Sequence, residues 1–171
     1  MTDIQLLAEK IKDIKFTMMT TVDNDGTMHS RPMATQDFSK TEFDGTLYFF
    51  TKMHSPKVYS IENDQHVTLA YANPDKQLYV SVVGRGSVTQ DKALMEKLWN
   101  PALKAWFPEG LEDPEIAVIV VSVDSADLWD SPPSKVVQLA GFVKATVTGK
   151  PYDHKAHTQH IQIDKSDRSL H

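Results

Sequence analysis

Apolar residues recur at helical spacing at Ile4, Leu7, Ala8 and Ile11, with Glu9, Lys10 and Lys12 on the other side. That pattern predicts a short amphipathic helix, capped by Thr2 or Asp3. The run Phe16 to Val22 is rich in strand formers and stops at Asp23-Asn24-Asp25-Gly26, where Asp-Gly signals a hairpin. The returning strand, Thr27 to Thr35, contains Pro32, which cannot donate to a ladder. Pro32 therefore belongs at an edge or a bulge. Thr46 to Thr51 forms an aromatic-rich strand, and Ser55-Pro56 then starts a helix running to about Asn63.

Further along, Val67 to Ala72 is a strand, and Leu78 to Thr89 is a long one with a bend expected at Gly84-Arg85-Gly86. Leu94, Leu98 and Trp99 mark a helix ending before Pro101, and Asn100-Pro101 opens a second turn. Ile116 to Val123 predicts a short, fully buried strand. Leu128-Trp129 and Gly141 to Thr148 supply at least one more. Strands follow one another without an alternating helix rhythm, so the expected class is mainly β. The expectation is an antiparallel barrel of six to eight strands with short flanking helices. Residues 1–150 form its one domain, and 151–171 a polar, loose tail.

Composition narrows the chemistry. The chain has 171 residues, with 18 Lys+Arg against 23 Asp+Glu, a net charge of -5. A domain-wide basic footprint for nucleic acid is therefore absent, although a local basic pocket remains possible on this count. The absence of cysteine removes disulfides, thiolate metal sites and thiol nucleophiles. No run approaches the length of a membrane span, and the start lacks a signal-peptide profile, so the expected location is cytoplasmic.

The most informative segment is Phe50-Thr51-Lys52-Met53-His54-Ser55-Pro56-Lys57. A helix beginning there presents free N–H groups and the positive end of its dipole to the loop. Thr51 and Ser55 add hydroxyls, while Lys52 and Lys57 add charge. Either these groups hold an anion such as phosphate, or Ser55 only caps the helix and both lysines are solvated. Arg31-Pro32-Met33 is the second clue: a bidentate donor beside backbone that is not fully paired. A protected edge strand explains it equally well.

Taken in order, Thr27 to Met33, Leu47 to Thr51, and Ser55-x-Lys57 resemble the pyridoxamine 5′-phosphate oxidase-like split-barrel family. Trp106 to Pro114 and Ala126 to Asp130 resemble its general stress protein 26 branch. The resemblance implies FMN in a cleft between the two barrels of a homodimer. It places Arg31, Pro32 and Met33 along the flavin ring and ribityl chain, and Phe50 and Thr51 at the ring or phosphate. Ser55 and Lys57 correspond to the phosphate-binding helix start, and Trp129 to a contact from the partner chain. The implied function is a general-stress FMN flavoprotein, an oxidoreductase transferring electrons or hydride, with no side chain nominated as catalytic. The alternatives are a non-enzymatic flavin-binding or redox-sensing protein, or the same barrel with deazaflavin or haem.

Two departures argue against a true pyridoxamine-phosphate oxidase. The tail Asp167 to His171 lacks the family's tryptophan and second arginine, and Gln77 is out of register for the family's cofactor-contacting glutamine. Gly84-Arg85-Gly86 has no third glycine and no following helix, so it reads as a bulge rather than a dinucleotide loop. His154, His157 and His160 lack an apolar face and read as polar tail rather than a metal site. Trp99, Trp106 and Phe107 read as core or interface aromatics before a cofactor lid.

Overall fold

A computed structural model of the chain describes residues 1–38, 43–130, 143–144, 146–149 and 158–164. Helix α1 (Asp3–Ile11) begins at a capping box in which Thr2 and Gln5 each accept the other's backbone N–H. The strands are β1 (Phe16–Val22), β2 (Met28–Ala34), β3 (Thr46–Lys52), β4 (His66–Asn73), β5 (Leu78–Thr89), β6 (Ile116–Asp130) and β7 (Thr158–Gln162). Helix α2 (Pro56–Asn63) follows β3, and α3 (Lys92–Leu98) follows β5. The strands make one antiparallel sheet in the order β2-β1-β4-β5-β6-β3, with β7 also on β6. The sheet curls until the Gln36 N–H, just past β2, donates to the Tyr48 carbonyl of β3 at 2.9 Å.

Curling requires a bend in the long strands. The register between β5 and β6 shifts at Val83/Gly84, the bulge expected there. A Cβ at Gly84 would stand 2.5 Å from the Ser122 carbonyl oxygen, so only glycine lets the two strands approach so closely. Inside the curl, Met19, Phe49, Leu69, Tyr71, Val82 and Ile119 form one core with Leu7 and Ile11 of α1. A second cluster gathers Phe50, Met95, Leu103, Phe107, Ile116 and Val118 beneath α3. Trp99 meets Phe50 edge-to-face at 5.7 Å, so Trp99 and Phe107 are packing residues, whereas Trp106 is exposed.

Three expectations change. Ile116 to Val123 and Leu128-Trp129 belong to one continuous strand, β6, because β5 pairs with it through Asp130. Residues 143–144 and 146–148 are helical rather than extended, while Gly141 and Phe142 lie outside the described residues. There Val143 and Val147 sit at i,i+4 spacing, and the Thr148 hydroxyl donates to the Lys144 carbonyl at 2.6 Å. The last strand comes instead from the segment expected to be a loose tail. Past the end of β3, one edge of β6 needs a partner, and Ser125 to Trp129 pair with β7. Ile161 and Ile163 alternate into the core, which anchors an otherwise polar strand. His160 pairs with Asp127 at 2.8 Å, while His154 and His157 lie outside the described residues.

Candidate functional site

Strand β2 ends the sheet of the described residues, so among them its outer edge carries no strand partner and Pro32 costs no ladder bond there. Pro32 is exposed and Met33 is buried in the core, which leaves Arg31 half-buried between them and the hairpin. The Arg31 guanidinium donates to Thr21 Oγ1 at 2.7 Å and to the Met19 carbonyl at 3.3 Å. Thr21 is fully buried, so its hydroxyl gives the guanidinium a fixed anchor on β1.

From the other side, β3 delivers Thr51 and the start of α2. Ser55 takes the extended N-cap conformation and Pro56 the first helical position, as the Ser-Pro pair predicts. Ser55 makes no cap bond with its side chain, however. Its hydroxyl lies 3.3 Å from the hydroxyl of buried Thr51. Pro56 has no N–H, and the Val58 and Tyr59 N–H groups donate to the Ser55 carbonyl, which leaves the Lys57 N–H as the open first-turn amide among the described residues. The Ser55 hydroxyl is thus available to a ligand in a way a capping hydroxyl is not. Phe50 turns its ring into the second core, so it offers the site backbone rather than side chain.

Lys57, in the first turn of α2, is half-buried beside Arg31. Burial pushes the Lys57 ammonium below its ordinary pKa, and the neighbouring Arg31 charge pushes it further in the same direction. Burial lowers Arg31 as well, partly offset by the Asp23 carboxylate. Among the described residues neither cation has a carboxylate within ion-pair distance. Two half-buried like charges without such a partner make a place where an anion is stabilised.

Lys52 does not join them. It donates to Asp113 at 2.8 Å, and that ammonium, with the Glu115 N–H, holds the Asp113 carboxyl below the usual carboxylate range. The same turn holds the loop before α2: Met53 N–H donates to the Glu115 carbonyl at 2.7 Å, and His54 Nδ1 lies 2.5 Å from Glu115 Oε2. Trp129 is 43% exposed on the outward face of the sheet, whereas Arg31, opposite Met19, is on the inward face, so the two side chains stand on opposite faces of one chain. Sequence reasoning missed Thr21, which anchors Arg31, and the bond between Asp23 of the hairpin and Ser60 of α2. The partners lie 10 and 37 positions apart, beyond any local spacing signal.

The family model of pyridoxamine 5′-phosphate oxidase-like proteins matches residues 2–153. Protein bli-3 of Neurospora crassa is 35% identical over 162 residues, spanning 85% of this chain and 76% of that one. Among solved structures, the general stress protein 26 of Bacillus anthracis superposes with a TM-score of 0.61 at 28% identity, covering 77% of this chain and 93% of that one. The general stress FMN/FAD binding protein of Xanthomonas citri gives 0.65 at 26%, covering 77% and 90%. A match through nearly the whole barrel, on relatives of the same fold, means that the chain belongs to the pyridoxamine 5′-phosphate oxidase-like family, in its general stress protein 26 branch.

Proposed function

We propose that this protein is an FMN flavoprotein that grips the terminal phosphate of the cofactor between Arg31 and Lys57. The observation that carries the reading is the approach of two half-buried cations, with no carboxylate of the described residues in ion-pair contact with either. A phosphate monoester, with a charge of about −1.5 to −2 at neutral pH, complements that pair. Lys57, through its ammonium and its backbone N–H, and the Ser55 hydroxyl hold the phosphate, and Arg31 closes it from β2. Pro32 and the backbone of Met33, next along β2, lie against the ribityl chain and ring, with Phe50 backbone and Thr51 opposite. The name of the Xanthomonas citri relative, an FMN/FAD binding protein, supports the choice of a flavin.

Bound flavin supplies the electron- or hydride-transfer chemistry of an oxidoreductase, while the protein orients the ring and controls access to it. Trp129 meets the cofactor across a homodimer, because in its own chain it stands on the face of the sheet opposite Arg31. Lys57→Ala tests the phosphate grip. Charged hydrogen bonds contribute about 1.5–3 kcal/mol, so FMN affinity falls roughly ten- to over a hundredfold while riboflavin, lacking phosphate, barely changes. Equal weakening of both ligands in a folded protein removes the phosphate from this segment.

A further inference from the structure

Arg31 on β2 and Lys57 on α2 are close enough for the Arg31 charge to act on the Lys57 ammonium, so the fold holds two like charges near each other before any anion arrives. A side-chain bond ties the two elements together. Asp23, the first residue past β1, closes the hairpin: its N–H donates to the Thr27 carbonyl at 2.9 Å. Its carboxylate faces two ways. Oδ1 accepts from the Ser60 hydroxyl at 2.6 Å, and Oδ2 lies 3.1 Å from His29 Nε2 on β2. Ser60 is buried and sits one turn after Lys57 on α2, where it also donates to the Pro56 carbonyl at 3.0 Å. One carboxylate therefore joins the helix carrying Lys57 to the hairpin carrying Arg31. Among the described residues this is the side-chain bond from α2 to that hairpin.

We propose that Asp23 and Ser60 are positioning residues: their bond presets the spacing of Lys57 and Arg31 for a phosphate monoester. The proposal rests on the phosphate reading of the site. Its sign separates it from simple electrostatics. The Asp23 charge stands near Arg31 and opposes an incoming anion, so on Coulomb's law alone its removal strengthens binding. Positioning predicts that breaking the bond weakens binding even though the charge stays. Two variants of one bond thus give different signs. Asp23→Asn keeps an oxygen for Ser60 and loses the charge, whereas Ser60→Ala keeps the charge and loses the bond.

The test is a calorimetric titration of the folded, full-length protein with FMN and with riboflavin. Ser60→Ala weakens FMN about tenfold and riboflavin less than about twofold, because the spacing matters only to the phosphate. Ser60→Thr, which restores a hydroxyl, returns FMN to within about twofold of the parent, and Asp23→Asn leaves FMN as tight or tighter. Ser60→Ala that leaves FMN unchanged, or weakens both ligands alike, overturns the positioning role; so does Asp23→Asn that weakens FMN. Lys57→Ala in the same series separates the two claims. If it spares riboflavin while Ser60→Ala has no effect, only the positioning role fails. If Lys57→Ala weakens both ligands equally, the phosphate reading fails and the positioning role falls with it.

Discussion

A single residue can be read for its chemistry long before its neighbours are known, and Lys57 is the clearest case. Ser-Pro before it announces a helix start, and a lysine in a first turn points toward any anion bound there. Arg31 is legible for a similar reason, since the adjacent Pro32 marks backbone without a ladder partner. What surrounds them is not legible. Thr21, Asp23 and Ser60 are ordinary residues in ordinary patterns, and only folding brings them into contact. Lys52 shows the converse: counted with the anion-binding lysines in the sequence, it belongs to Asp113. That pairing has a pH signature. The Asp113 carboxyl titrates below 3.8 in the fold, so its contribution is present above that value and is lost as pH falls through the lower folded value. Asp113→Asn therefore lowers the urea midpoint at neutral pH, and its deficit against the parent shrinks below pH 3.8. A deficit that stays constant through that range contradicts the ion pair.

At the scale of elements, helices with strong caps and strands with strong turns agree with the sequence to within a residue or two. Helix α2 starts at Pro56 and ends at Asn63 as its signals predict. The misreadings cluster where tertiary contact overrides local pattern. The polar residues Ser122, Asp124, Ser125 and Asp127 interrupt the apolar run of β6 and suggest two strands, but paired neighbours keep it extended for 15 residues. Strand β7 carries one apolar residue within its five positions and exists because β6 offers it an edge. The bulge of β5 is the element on which the curl depends. An added methyl at Gly84 meets the Ser122 carbonyl oxygen, which is backbone and cannot swing aside. Gly84→Ala accordingly destabilises the protein by about 1–3 kcal/mol, read as a lower urea midpoint with an unchanged slope. A neutral effect means the strands separate there at little cost.

For the whole molecule, the outward face of the sheet is the feature that a single chain leaves unexplained. By register, Phe16 and Met18 of β1, Tyr79 and Val83 of β5, and Trp129 of β6 share that face, and all are substantially exposed. Apolar surface in water costs about 25 cal/mol per Å², and exposed patches of this kind mark interfaces. On the proposed reading, a second copy covers this face, which accounts for the exposed tryptophan and completes the flavin site from the partner chain. The split barrel follows from strand order and pattern, but this completion does not, because no local pattern states what a surface meets. Sedimentation velocity of the FMN-loaded protein, followed at the flavin's visible absorption band, tests both halves together. The account predicts that the flavin absorbance travels with the protein at the mass of a dimer, with one FMN per chain. Flavin that remains behind while folded protein sediments contradicts the account at its centre.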